Sequence, residues 1–327
     1  MAIAIMTSGG DCAGMNPAIK QFVDYCFTKK IKPYLIYDGL EGLIDGDIKL
    51  ASYHDVAGIM HEGGTKIRSS RSKRFFDYEY RKQAYENLQK HNIDKIVILG
   101  GDGSFRALNQ FHKDFGVNFV GVPATIDNDI FGTEYCLGVD TALNIIRQAT
   151  DAVRDTSASF KRACVIETMG RDCGYLALVS AITCGAEICI IPELDYDLES
   201  IGKRLKEELD NGRKYIVCIV AEGCSNDKCT STSQLVDWLE HDIGIETRAT
   251  ILGHVQRGGN PTVYDRLMAS EFVTYAIDRL LEGKNEDGGS VIVYNKSEFE
   301  FVTIDYVNSQ KYEIREDLLE LAKRLVN

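Results

Sequence analysis

With 327 residues, 44% of them hydrophobic and 26% charged, the chain is long enough to bury one large core or two ordinary ones. Its formal charge of −12 disfavours nonspecific attraction to nucleic acid, so an anionic ligand has to be held by local arginines against the overall field. No stretch approaches the roughly 20 uninterrupted apolar residues of a membrane span, and the start MAIAIMTSGGD lacks a basic segment followed by an apolar signal core; a cytoplasmic protein with neither membrane nor nucleic-acid partner is expected.

Short apolar runs at Ala2–Met6, Lys32–Ile36, Lys95–Leu99, Phe119–Val122, Ala163–Ile166, Ile188–Ile191 and Tyr215–Val220 each lead into a turn. Amphipathic stretches such as Leu143–Val153, Leu176–Thr183 and Leu198–Leu209 lie between them. This alternation predicts a parallel, doubly wound α/β arrangement, in which ligands gather at the carboxyl ends of the strands. The ten cysteines show no CxxC pair and no Cys/His ligand spacing, which argues against a zinc site or a secreted disulfide framework. They read as free thiols acting as small buried hydrophobes. No repeat or low-complexity segment is visible, and with only five prolines no linker marks a domain boundary.

The residues following the strands carry the chemistry. Thr7-Ser8-Gly9-Gly10-Asp11 leads into a helix, and its glycines would let backbone amides approach a phosphate; a tight βα turn would also call for glycine on structural grounds alone. Neither the P-loop pattern nor GxGxxG occurs. In Gly100-Gly101-Asp102-Gly103-Ser104 a carboxylate sits among exposed amides, an arrangement suited to magnesium riding on nucleotide phosphates. Pro123-Ala124-Thr125-Ile126-Asp127-Asn128-Asp129 offers two carboxylates two residues apart on what reads as an extended segment, so both would point the same way, one to draw a proton and one to orient donor or metal.

A cationic set accompanies them: Arg68, Arg71, Lys73 and Arg74 after Gly63-Gly64-Thr65, then Arg162, Arg171, Arg248 and Arg257 with His254. Phosphoryl transfer needs little covalent chemistry but strong neutralisation of charge, which arginine supplies through bidentate donors. Lys73 and Arg74 could equally form a solvated face; Arg71, close to the glycine pair, is the better candidate.

Taken together, Thr7 to Asp11, Gly100 to Ser104, Pro123 to Asp129, Met169-Gly170-Arg171, Ala221-Glu222-Gly223 and Gly253 to Gly259 resemble, in order and spacing, the motifs of the bacterial phosphofructokinases. The resemblance spans nearly the whole chain. It implies two doubly wound, mostly parallel-sheet α/β domains: a larger ATP-binding one from residues 1–138 and 261–309, and a smaller sugar-phosphate-binding one from 139–260 and 310–327. It also implies ATP-dependent, magnesium-assisted phosphorylation of fructose 6-phosphate at the 1-hydroxyl, the committed step of glycolysis. By the same resemblance Gly10, Arg71, Ser72, Gly101, Asp102, Gly103 and Ser104 hold ATP, with Asp102 on the metal. Asp127 accepts the hydroxyl proton, and Thr125, Asp129 and Arg171 flank the moving group. Ile126, Met169, Gly170, Glu222, His254 and Arg257 contact the sugar phosphate, while Arg162 and Arg248 match arginines that reach in from a neighbouring subunit of a homotetramer.

Small residues decide the donor. Relatives using pyrophosphate carry aspartate at the position of Gly103 and lysine at that of Ala124, so Gly103 leaves room for ATP, while Ala124 adds one methyl to the glycine usual in ATP users. A pyrophosphate enzyme and a catalytically silent family member are the alternatives, and the latter would show damage at Asp102, Asp127 or Arg171, all of which are intact. At positions matching the family's effector site the chain keeps Lys20, Arg154, Gly185, Glu187 and Arg213. Asp24, Tyr53 and Asn211 stand where arginine is usual, so weakened control is expected. Arg68 also departs from the residue usual beside the ATP phosphates.

Overall fold

The computed structural model describes residues 1–225, 229–283 and 289–325. Its strands are β1 (Ala2–Ser8), β2 (Lys32–Ile36), β3 (Ile48–Leu50), β4 (Lys95–Gly100), β5 (Asn118–Pro123), β6 (Ala163–Thr168), β7 (Ile188–Ile190), β8 (Ile216–Ala221), β9 (Thr247–Ile251), β10 (Ser290–Asn295) and β11 (Glu298–Thr303). The α-helices are α1 (Met15–Thr28), α2 (Gly39–Asp45), α3 (Tyr78–Lys90), α4 (Asp102–Phe115), α5 (Val139–Phe160), α6 (Tyr175–Cys184), α7 (Leu198–Asp210), α8 (Thr232–Trp238), α9 (Val263–Glu282), α10 (Ile304–Val307) and α11 (Glu316–Leu325). Every strand read from the apolar runs is present, and the chain divides into two compact α/β units.

Unit 1 comprises Met1–Ile126, Ile130–Thr141 and Arg257–Tyr312. Its seven-stranded sheet has the order β11-β10-β5-β4-β1-β2-β3, parallel from β2 to β10 with antiparallel strands at both edges. β1 is buried at all seven positions, as an apolar run covered on both sheet faces must be. Helices α1 and α9 pack against each other. At the start of α9, Asp265 is wholly buried. It accepts from the amides of Gly138 at 2.7 Å and Thr141 at 2.8 Å, the Thr141 hydroxyl at 2.5 Å, and the Tyr135 hydroxyl. Burial pushes its carboxyl up from the ordinary value, while the hydrogen bonds from Thr141 and Tyr135 oppose that shift.

Unit 2 comprises Asp127–Asp129, Ala142–Gln256 and the chain from Glu313. Its sheet, β7-β8-β6-β9, is parallel throughout. α8 lies on β6 and β9, and α11 packs on α6.

Two expectations need correction. Eight cysteines are free and buried, but Cys224 is bonded to Cys229, their Cα atoms 4.9 Å apart, so the reading of free thiols fails for this pair. The segment carrying Asp127 is not extended: Ile126 and Asp127 form a turn, and Asn128 adopts left-handed backbone with φ 51°, a conformation asparagine tolerates better than most residues. Strand alternation therefore does not set the direction of the two carboxylates.

Candidate active site

In unit 1 the loaded turns share one sheet edge. The parallel register sets Ser8 of β1 opposite Gly100 of β4, and Gly100 opposite Pro123 of β5. The segments after these strands, 9–11, 101–104 and 124–126, thus leave from the same carboxyl edge. Gly100 is demanded by packing, since a Cβ there would lie 2.7 Å from the Ser8 carbonyl oxygen. Gly101 and Gly103 face open space instead, so their lack of side chain leaves room for a ligand.

Gly10 has a different neighbour: a Cβ at this position would meet Nη1 of Arg257 at 2.7 Å, and that guanidinium donates to the Asp11 carbonyl at 3.4 Å. The loop 69–72 is tied to the same turn through Ser69 Oγ to the Gly9 carbonyl at 2.9 Å and Gly9 N to the Ser70 carbonyl at 3.3 Å. It presents Arg71, exposed and without a hydrogen bond or ion pair among the described residues, a cation available to an anion. Ser72 accepts from the Phe75 amide at 3.1 Å. Ser104 spends its hydroxyl inside the fold, on Ser8 Oγ at 2.9 Å.

Two of the other cations of this segment, Arg68 and Arg74, are committed. Arg68 grips Asp38 (Nε to Oδ1, 2.6 Å) and lies over the Tyr37 ring, and Arg74 holds Glu41 and Asp45. Hydrogen bonds from Arg68 hold the Asp38 carboxyl below its ordinary range.

Asp102 opens α4, where carboxylates are favoured by the helix dipole. Its Oδ2 pairs with Arg106 at 2.9 Å, but Oδ1 is buried with no hydrogen-bond partner. Among the described residues no cluster of three or more His, Cys, Asp or Glu side chains could hold a metal by itself. A single carboxylate oxygen fits a divalent ion that takes its remaining ligands from phosphates and water.

Unit 2 assembles a second group. Asp127 is wholly buried, and its Oδ2 lies 3.1 Å from Nε of Arg171, whose Nη1 is 4.0 Å from Asp129 Oδ2. Both predicted carboxylates therefore do converge on one guanidinium. Arg171 itself has φ 54°, a left-handed conformation that costs energy for a residue with a Cβ. It is held there by Glu222, whose Oε1 accepts the amides of Gly170 at 3.1 Å and Arg171 at 2.8 Å. Gly170 has φ 143° and its missing Cβ would lie 2.3 Å from the Cys173 carbonyl, so only glycine fits. Gly223 is equally constrained, with the Arg171 carbonyl 2.2 Å from where its Cβ would be.

The β6–β8 register, Thr168 opposite Ala221, brings the 169–171 and 222–223 segments together. Gln256 then accepts from the Met169 amide at 3.1 Å, while His254 is exposed. Nearby Cys173 has its thiol pushed up to about 12, chiefly by burial and also by the charges of Glu193, Asp129 and Asp127.

Arg162 and Arg248 lie elsewhere. Arg162 precedes β6 and Arg248 is the second residue of β9, and both contact Glu246, at 2.9 and 2.5 Å. Arg171 follows the opposite end of β6. Six residues at about 3.3 Å each separate the two ends by about 20 Å. The structure thus keeps these two arginines away from Arg171 of their own chain. Of the remaining predicted residues, Thr125 and Ile126 belong to unit 1, as does Arg257.

Sequence reasoning missed Gln256 and the Glu222 clamp on two backbone amides. A glutamine inside the glycine-flanked Gly253 to Gly259 motif was the available signal for the first; nothing local marked the second.

The effector-site positions are internally paired. Lys20 binds Asp24 one helical turn away, and Arg154 donates to the Cys184 carbonyl and pairs with Asp151. Arg213 holds Glu187 and Glu208. Gly185 caps α6 in left-handed conformation, its Cβ position open.

A family profile described as Phosphofructokinase matches residues 2–280. The chain is 54% identical over 322 residues to an ATP-dependent 6-phosphofructokinase of Sulfurimonas denitrificans, covering 98% of this chain and 99% of that protein. It is also 54% identical over 327 residues to the ATP-dependent 6-phosphofructokinase of Wolinella succinogenes, covering all of both. The solved phosphofructokinase from Saccharomyces cerevisiae superposes with a TM-score of 0.90 at 32% identity over 94% of this chain, which spans 45% of the yeast chain. A pyrophosphate-dependent phosphofructokinase from Nitrosospira multiformis superposes at 0.85 with 18% identity over 100% of this chain and 92% of that one, a likeness of fold alone.

Proposed function

The chain belongs to the phosphofructokinase family, and we propose that it transfers the γ-phosphoryl group of ATP to the 1-hydroxyl of fructose 6-phosphate, giving fructose 1,6-bisphosphate and ADP. The observation that carries this reading is the pairing of buried Asp127 with Arg171, on a loop whose backbone conformation Glu222 maintains. Asp127 accepts the hydroxyl proton as the sugar oxygen attacks the γ-phosphorus, the bond to the ADP oxygen breaks, and Arg171 neutralises charge on the moving group.

Nucleotide phosphates are held in unit 1 by the amides around Gly10 and Gly101 to Ser104, and by Arg71. Asp102 Oδ1, buried without a partner, would hold a magnesium ion carried in with the nucleotide. When bound, that ion neutralises phosphate charge. Met169, Gly170, Glu222 and His254 contribute to sugar-phosphate binding in unit 2.

Arg162 and Arg248, about a strand's length from their own Arg171, serve the sugar phosphate of a neighbouring copy, so the working form is an oligomer, a homotetramer by the family pattern. Gly103, with open space where a side chain would stand, favours ATP as donor. The methyl of Ala124 is packed away at 2% exposure and leaves that preference intact. No helix among the described residues is long and apolar enough to cross a membrane, in keeping with a glycolytic role in the cytoplasm.

The test is an assay coupled to fructose 1,6-bisphosphate formation, with fructose 6-phosphate, magnesium and either ATP or pyrophosphate. Turnover with ATP is expected. Turnover with pyrophosphate alone would overturn the donor assignment, and silence with both would overturn the reaction.

A further inference from the structure

The one bonded cysteine pair among the described residues lies against the loop that holds Arg171. Cys224 follows Glu222 and Gly223 directly, in the short 3-10 helix Glu222–Ser225. That turn supports the Arg171 loop by two contacts: Glu222 accepts the Gly170 and Arg171 amides, and the Arg171 carbonyl packs on Gly223. The Cα atoms of Cys224 and Cys229 are 4.9 Å apart, inside the range of about 4.4–6.8 Å that a disulfide requires, so the bond can open and close with little backbone displacement. The two sulfurs differ in access: Cys224 is 1% exposed, whereas Cys229 is half-buried. The free cysteines are poor competitors, since burial pushes thiols such as Cys26 and Cys173 up to about 12 and the thiolate is the reactive form.

We propose that Cys224 and Cys229 form a reversible thiol–disulfide modification site, whose bonded state steadies the Glu222 turn and so strengthens binding of the phosphorylated sugar. The proposal rests on the reading of Gly170 and Glu222 as sugar-phosphate residues and of Arg171 as the group that neutralises charge on the moving phosphoryl. The reaction partner is a small-molecule disulfide and its thiol, of the glutathione type. In oxidation the more accessible Cys229 thiolate attacks one sulfur of the external disulfide, forming a mixed disulfide and releasing one external thiol. The Cys224 thiolate then attacks the Cys229 sulfur and expels the second, so that two protein thiols are oxidised and one external disulfide is reduced to two thiols. Reduction runs the same steps backwards. Because the residues are five apart in sequence, the crosslink restricts the unfolded chain only slightly, and its effect falls on the local turn.

The experiment equilibrates the full-length enzyme in glutathione buffers of stepped redox ratio, alkylates remaining thiols with iodoacetamide and reads the masses of the peptides carrying Cys224 and Cys229. Aliquots are assayed in parallel for kcat and for KM of fructose 6-phosphate and ATP. The expected result is a titration from dialkylated to bonded peptide, with KM for fructose 6-phosphate several-fold higher and kcat lower in the reduced form while KM for ATP stays unchanged. Cys224→Ser should leave Cys229 readily alkylated in the native protein, Cys229→Ser should leave Cys224 slow to react, and both variants should show the reduced-form KM at every ratio. Two thiols that remain alkylatable in the most oxidising buffer would overturn the site. Bond formation that leaves the sugar KM unmoved would overturn its proposed effect. Thiols that titrate in an enzyme inactive at every ratio would support the site and count against the phosphotransferase reading instead.

Discussion

Nε of Arg171 lies 3.1 Å from Oδ2 of Asp127, the aspartate wholly buried and the arginine side chain 53% exposed. The pair is therefore asymmetric: the carboxylate is cut off from water, while its partner keeps a face toward solvent and any ligand there. Such an acid is poised to take a proton from a hydroxyl placed against it, and the arginine remains free to follow charge onto a phosphoryl oxygen.

Asp127→Ser should lower kcat by roughly 10²- to 10⁴-fold, the usual range for loss of a general base, with little change in KM for fructose 6-phosphate. Steady-state kinetics in the coupled assay check this. A variant with near-normal turnover would remove Asp127 from the role of base.

Gly103 sits in the first turn of α4 with no atom within 4 Å of its would-be Cβ. An aspartate there fits without disturbing the fold and places a negative charge where the proposed function brings nucleotide phosphates. Gly103→Asp should retain the melting temperature of the wild type while kcat/KM for ATP falls by about 10-fold or more, the loss of one charge-assisted contact or its replacement by repulsion. Unchanged use of ATP would show that this position does not set the donor.

The sequence was most readable where burial on both faces writes a continuous apolar run, as in β1, β4 and β8, and least readable at sheet edges. β9 (TRATI) and β11 (EFEFVT) expose much of their length, and β3 is only three residues long, so none carries a strong pattern. The site follows the same logic. Residues in glycine-marked turns after strands were visible from local chemistry, with roles supplied by resemblance. The turn at Ile126–Asn128 was not, because the left-handed conformation of Asn128 is a property of the folded loop. Nor was the Glu222 clamp on Arg171, a contact across 51 positions that no local spacing encodes.

Arg68 supplies a pH-dependent contribution to stability. Its hydrogen bonds to Asp38 depress that carboxyl below the ordinary value of 3.8, so the folded protein holds the proton less tightly than the unfolded chain. The resulting stability is present above pH 3.8 and is lost as pH falls through the depressed folded value. The pair is substantially exposed, so the effect is small. In urea titrations Asp38→Asn should have a slightly lower midpoint than wild type at pH 7, and the gap should close in strong acid. A gap that widens on acidification would reverse the assignment, as would one absent at pH 7.

Control by a nucleoside diphosphate or by phosphoenolpyruvate should be weak. Each charge-assisted hydrogen bond to a phosphate is worth about 1.5–3 kcal/mol, and the chain has Asp24, Tyr53 and Asn211 where related effector sites have arginine. The cations that remain already have partners: Lys20 is bound to Asp24, Arg213 to Glu187 and Glu208, and Arg154 to Asp151 and the Cys184 carbonyl. An incoming phosphate must displace those oxygens as well as lose its water. Rate against fructose 6-phosphate should accordingly be close to hyperbolic, with a half-saturating concentration nearly indifferent to ADP or phosphoenolpyruvate. Asp24→Arg, which both frees Lys20 and restores a cation, should increase the response to ADP. A strongly sigmoidal wild type relieved by ADP would mean that these internal pairs open readily and that the missing arginines are replaced by other groups.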